Sequence, residues 1–121
     1  MRSLILASVT LLLMSCASVK PGPDAFDSAQ RAIDAAVKAG AEEHAPTELR
    51  FARDKLGYAH QGMDQKKYEV SLYLIEESEI NSELAIEKSR TALERRKVNE
   101  LTRSNEELKA RLEREFGESF E

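Results

Sequence analysis

At 121 residues the chain has room for one small domain. Its 18 basic and 22 acidic side chains leave a formal net charge of −4, a mild acidity that argues against a nucleic-acid partner. One third of the residues are charged (33%), aromatic side chains make up 6% and tryptophan is absent. A chain this rich in Ala, Glu, Lys, Leu and Arg reads as long helices rather than a thick globular core.

The N-terminus has three parts in order: a positive residue, Arg2; an apolar run from Leu4 to Met14; and a small residue followed by a thiol, Ser15-Cys16. This is a secretory signal pattern, and the run is shorter than the roughly 20 residues of a permanent membrane span. Leu13-Met14-Ser15-Cys16 resembles the lipobox of bacterial lipoproteins. The resemblance implies that residues 1–15 are a removable signal peptide, that the Cys16 thiol receives a diacylglycerol, and that its freed amine takes a further acyl chain. The competing reading is an ordinary signal peptide with a chance cysteine. Cys16 is the one cysteine of the chain and has no intramolecular disulfide partner, which lipidation accounts for. Two or three acyl chains hold firmly where one does not. Ala17, by resemblance to the sorting rules of Gram-negative lipoproteins, implies the outer membrane, with the chain facing the periplasm.

Residues 16–24 form the lipidated cysteine and a short Pro/Gly tether. A first helix is expected from about 25 to 40, with Asp24 as its N-cap. Its apolar stripe is Phe26, Ala29, Ile33, Ala36 and Val37, and Gly40 is its stop, unless Ala41-Glu42-Glu43 add a turn. A second helix is expected from 46 to 61, opened by Pro46 and ended by Gly62. Its narrow seam of Leu49, Ala52, Leu56, Ala59 and Met63 is of the kind two helices share.

A third helix follows, since no Gly or Pro falls between Gln65 and Phe116; if continuous it is about 75 Å long. Its first half carries Tyr68, Ser71, Leu72, Ile75, Ser78, Ser82 and Ala85 on one stripe, mostly small residues that let a neighbour approach closely. The second helix is therefore expected to pack antiparallel on this half, with the first alongside. In the second half, Val98, Asn105 and Leu112 take heptad a positions and Leu101 and Leu108 take d. An Asn at a is a device for fixing coiled-coil register. Thr91 at a, and Glu94 and Glu115 at d, limit the pattern to about two clean heptads, fewer than a confident coiled coil needs. A solvated single helix is the competing reading. Arg103, Glu107, Arg111 and Glu115 form an i,i+4 charge ladder. The expected class is all-α: an antiparallel helical hairpin or three-helix arrangement with a long C-terminal helix.

His44-Ala45-Pro46-Thr47-Glu48-Leu49, then Ala52, Lys55-Leu56, Ala59, Tyr68, Leu74 and Ala85, resemble an Ala-rich helical domain of unknown function found in Gram-negative envelope lipoproteins. The resemblance covers about residues 25–92. Some members carry an OmpA-type peptidoglycan-binding domain after it; here a charged helical tail, 93–121, follows instead, so wall binding by that route is not implied. The family supplies no catalytic residues.

The chain shows no phosphate loop and no zinc spacing. His44 and His60, at either end of the second helix, stand about 24 Å apart, too far to share a metal, and are expected to face solvent. The serines of the third helix fit packing better than nucleophilic use. Adjacent carboxylates such as Glu76-Glu77 diverge on a helix and read as a solvated face, as does Arg95-Arg96-Lys97. No catalytic residue, metal or cofactor is expected. The expected function is a non-enzymatic scaffold or adaptor anchored through Cys16. It would meet a copy of itself or an envelope partner through Val98, Leu101, Asn105, Leu108 and Leu112. The alternative is a carrier holding a lipid or peptidoglycan fragment between its helices.

Overall fold

Proline opens two helices of this chain and left-handed residues turn it twice. The computed structural model describes residues 19–117; Cys16 and the signal segment lie outside them. The described residues form α1 (Pro23–Lys38), α2 (Ala41–His44), α3 (Pro46–Asp64) and α4 (Tyr68–Phe116). The class is the expected one, all-α with a long C-terminal helix.

Pro23 and Pro46 sit in the first turns of α1 and α3, where a missing N–H costs nothing and a fixed φ is already helical. α1 therefore starts before Asp24. The N-cap is Gly22, with no side-chain cap, and Asp24 lies in the first turn, where a carboxylate favours the positive end of the helix dipole. At the other end Gly40 takes a left-handed φ of +84° and its N–H donates to the Val37 carbonyl (2.9 Å). That turn makes Ala41–His44 a separate helix, α2, rather than a continuation of α1. Ala45 (φ −145°, ψ 49°) then breaks the chain ahead of Pro46, because the residue before a proline avoids the α region.

α3 does not stop at Gly62; it runs to Asp64 with Gly62 buried inside it. The reversal is made by Lys66, a non-glycine residue at φ +59°, and closed by the Lys67 N–H donating to the Gly62 carbonyl (2.8 Å). Gly62 is small for a different reason. A Cβ there would fall well inside contact distance of the Ser71 hydroxyl at the corner where α4 sets off.

α1 and α3 both lie against the first half of α4, with α3 antiparallel to it. Ala29, Ile33 and Ala36 of α1, Leu49, Ala52, Leu56 and Ala59 of α3, and Ile75 and Ala85 of α4 form the core, with Ala41 and Ala45 at the α2 end. Ser71, Ser78, Ser82 and Ser89 complete the buried face of α4. Leu72, expected in that stripe, is instead exposed, and Tyr68 and Met63 are half-buried. α4 has 49 residues and is about 74 Å long at 1.5 Å per residue.

Gly62→Ala sets two effects against each other: about 1 kcal/mol of helix propensity gained and about 1–3 kcal/mol of overpacking against Ser71. The single variant should be destabilised by up to about 2 kcal/mol. Adding Ser71→Ala removes the clashing hydroxyl, and the Lys67 carbonyl keeps the Ser71 N–H (3.0 Å). The double variant should therefore recover about 1–2 kcal/mol over the single. Urea denaturation of the four chains measures this; equal stability of single and double variants would remove Ser71 as the obstacle.

Candidate interaction surface on the long helix

α4 has two unlike halves, and its serines belong to the packed one. Ser78 Oγ donates across the interface to the Ala52 carbonyl (2.8 Å). Ser71, Ser82 and Ser89 donate one turn back within α4, to Lys67, Ser78 and Ala85 (3.1, 2.9 and 2.7 Å). All four are fully buried, and none has a base beside it of the kind a nucleophile needs. Each hydroxyl satisfies itself locally at the size of an alanine plus one atom, so α3 and α4 come close without an orphaned polar group.

Of the two histidines His60 faces solvent as expected, and His44 less so. α3 extends past His60, whose ring stacks on Phe26 (centroids 4.3 Å apart, planes at 25°). His44 is half-buried, with Nε2 3.9 Å from Glu43 Oε1. Among the described residues no group of His, Cys, Asp and Glu could hold a metal ion, and no helix is long and apolar enough to cross a membrane.

Ion pairs rim the packed half. Lys55 bonds Glu77, which also accepts from the Tyr73 hydroxyl (2.8 Å), and Lys88 of α4 bonds Glu48 of α3. Arg53 reaches Glu42 (3.2 Å), and Arg96 stands 3.8 Å from Glu43. That last pair assigns one member of the Arg95-Arg96-Lys97 cluster to the end of the hairpin rather than to a free polar face. The Lys55 bond, then the Tyr73 bond, hold the Glu77 carboxyl below the ordinary range, and the same bond raises Lys55. The Lys88 bond lowers Glu48.

Ser89 is the last buried residue of α4, Ala92 is half-buried and Arg96 still reaches Glu43; past Arg96 the helix continues alone. Val98, Leu101, Asn105, Leu108 and Leu112 share one face, as their spacing predicts. Val98, Leu101 and Leu108 are 58%, 56% and 50% exposed, Asn105 is exposed and Leu112 half-buried. The structure groups them but shows nothing bound to them. Of the charge ladder, Arg103 pairs with Glu107 (2.9 Å), and Lys109–Glu113 (3.7 Å) lies on a neighbouring row. Sequence reasoning missed a second set. Val70, Tyr73, Ile80 and Leu84 are exposed on the packed half of α4, and counting back in sevens from Val98 and Leu101 would have found them.

The architecture defines an all-α class in which two antiparallel helices pack on one half of a third that outruns them. Within it, the chain belongs to the family of the domain of unknown function DUF4398, whose model matches residues 24–101. The match covers α1 to α3, the packed half of α4 and the start of its free half, including Val98 and Leu101. No curated protein and no solved structure matches the chain.

The lowered carboxyls set the acid limb of stability. A carboxyl held below its ordinary value of 4.5 when folded contributes stability that is fully present above that value. It is lost as pH falls through the lowered one. Raised Lys55 acts at the other end: its contribution is intact below 10.5 and is lost as pH rises through the raised value. The melting temperature should therefore be flat through neutrality and fall at both extremes. Glu77→Gln should weaken the pH dependence on both sides, and Glu48→Gln on the acid side alone. Thermal unfolding across pH checks this; an unchanged alkaline limb in Glu77→Gln would remove the Lys55 link.

Proposed function

We propose that the protein is a non-enzymatic scaffold or adaptor of the bacterial cell envelope, a lipoprotein held at the outer membrane by acyl chains on Cys16 and facing the periplasm. The observation that carries this reading is the free end of α4, which extends about 30 Å past Arg96 with Val98, Leu101 and Leu108 exposed along it. The topology gives it a direction. α1 leads away from the anchored end, α3 returns, and α4 leads away again and overshoots, so the free half is the part furthest from Cys16. Large exposed apolar residues aligned on one face favour a protein contact.

The contact between α3 and α4 supports this reading over that of a carrier. It is closed by small residues, whereas a carrier needs a concave apolar site. The groove between α1 and α3, lined by Gln30, Ile33, Asp34, Arg53, Leu56, Gly57 and His60, is open and half polar.

Two variants test the two parts of the proposal. Cys16→Ser should abolish incorporation of labelled palmitate and move the protein out of the outer-membrane fraction; unchanged fractionation would remove the anchor. Deleting residues 98–121 leaves Arg96 and its contact with Glu43 in place. That chain should stay anchored and folded while losing every protein that crosslinks to the full-length form. Undiminished recovery of those proteins would remove the free half as the contact site.

A further inference from the structure

The apolar seam of the free half is broken at Glu94, Thr91 and Glu87 and returns beside the hairpin. Stepping back in sevens from Val98 (a) and Leu101 (d) gives Thr91, Leu84, Glu77 and Val70 at a, and Glu94, Glu87, Ile80 and Tyr73 at d, so large apolar residues return at four of the eight positions. Seven of the ten large apolar residues that α4 exposes lie on this one seam. The residues buried against α1 and α3 take the b and f positions of the same repeat: Ser71, Ser78 and Ala85 at b, Ile75, Ser82 and Ser89 at f. At about 103° per residue the two stripes are centred roughly 150° apart. α4 is thus a helix with two seams, small residues toward its own hairpin and large ones toward solvent.

We propose that the solvent seam is closed by a second copy of this chain, in a parallel, in-register, two-stranded coil whose two hairpins lie on the outside. The inference rests on the scaffold reading and names its partner.

Three features of the seam select a second copy. Asn105 is a polar a residue among Val98, Leu101, Leu108 and Leu112, and an in-register copy places its own Asn105 in the same layer, where the two amides bond each other. Val98 at a with Leu101 and Leu108 at d is the combination that favours two strands. The charge bordering the apolar tip, Glu94, also finds a complement in a second copy, whereas Glu77 at a and Glu87 at d are bonded within their own chain, to Lys55 and Arg90. Glu94 at d and Arg95 at e have no ion-pair partner among the described residues. In a parallel pair each d side chain sits beside the e position of the other strand. Glu94 then meets Arg95 of the second copy, twice by symmetry. Arg90, at the neighbouring g position, is already paired with Glu87 (2.7 Å). Two chains anchored in one membrane leaflet also project the same way, which is the parallel arrangement.

The test uses the full-length chain in intact cells, with photo-reactive benzoyl-phenylalanine at position 101 on the seam or at position 103 on the outer side. Irradiation should give, from 101, an adduct of twice the chain mass whose peptides come from this chain alone, and little from 103. Glu94→Arg should lower the yield from 101 about tenfold, and Glu94→Arg with Arg95→Glu should restore it. Circular dichroism confirms helix content, which these exposed positions should leave unchanged. Equal yields from 101 and 103, no adduct from 101, or no rescue by the double exchange would overturn the proposal. An adduct from 101 with a different protein would overturn the second copy and leave the scaffold reading standing. Loss of that reading shows instead as unchanged recovery after deletion of 98–121.

Discussion

The contact between α3 and α4 is made of residues too small to hold two helices together by buried area alone. Gly62 meets Ser71 and Ala52 meets Ser78, and the other buried positions are small too, Ala59 on α3 and Ser82, Ala85 and Ser89 on α4, with larger side chains at Leu49, Leu56 and Ile75. What such a surface offers is proximity: dispersion between backbones and stems rises steeply as the gap closes, and Gly62 against Ser71 marks the tightest point. The rest follows from that choice. Serine is usable in the interface because its hydroxyl bonds a carbonyl one turn back or, at Ser78, across to Ala52. Large apolar residues of α4 are left to the other side of the helix.

Stripes and class were legible in the sequence because they rest on periodicity, which survives without coordinates. Ala29, Ile33 and Ala36, and Leu49, Ala52, Leu56 and Ala59, lie buried where their spacing places them. Boundaries were less legible, since the same residue serves two purposes. Gly62 reads as a stop because glycine usually supplies a left-handed turn, yet here it supplies clearance, and Lys66 takes the left-handed conformation instead. Asp24 reads as a cap, but Pro23 in the first turn moves the helix start ahead of it. On α4 the difficulty was superposition. Two stripes with the same repeat are interleaved, so a one-seam reading gathers Leu72 into the packed face and overlooks Tyr73 and Ile80. The tip residues were legible because only one stripe persists there.

At three of its positions the packed face of α4 is also nearly degenerate in register. Sliding α4 by one heptad would replace Ser71 by Ser78, Ser78 by Ala85 and Ser82 by Ser89, all of similar size. Two other positions oppose the slip, since it would put Ser82 in the place of Ile75 and Arg96 in that of Ser89, and features outside the packed face add to them. The connection between Asp64 and Tyr68 is one such constraint: three residues, Gln65 to Lys67, tied back by the Lys67 N–H to Gly62, leave no slack for a displacement of two helical turns. The rim pairs are the other. Lys55–Glu77 and Glu48–Lys88 join α3 to α4, and Glu43–Arg96 joins α2 to α4. They are partly or largely exposed and contribute little stability one by one. A one-heptad slip would separate all three, so they act together with buried Ile75 and Ser89 to select one register.

Register in turn fixes how far α4 protrudes. With no glycine or proline between Gln65 and Phe116, the helix has no built-in hinge, and every residue of the tip keeps a set height above the hairpin. A slip of seven residues would move the tip by about 10 Å and take Ile75 out of its place in the core. Buried Ile75, the tight connection and the polar rim together therefore define where Val98 to Leu112 stand. A seam that matches a partner layer by layer, with one Asn among apolar residues, requires that position to be the same in every copy of the chain.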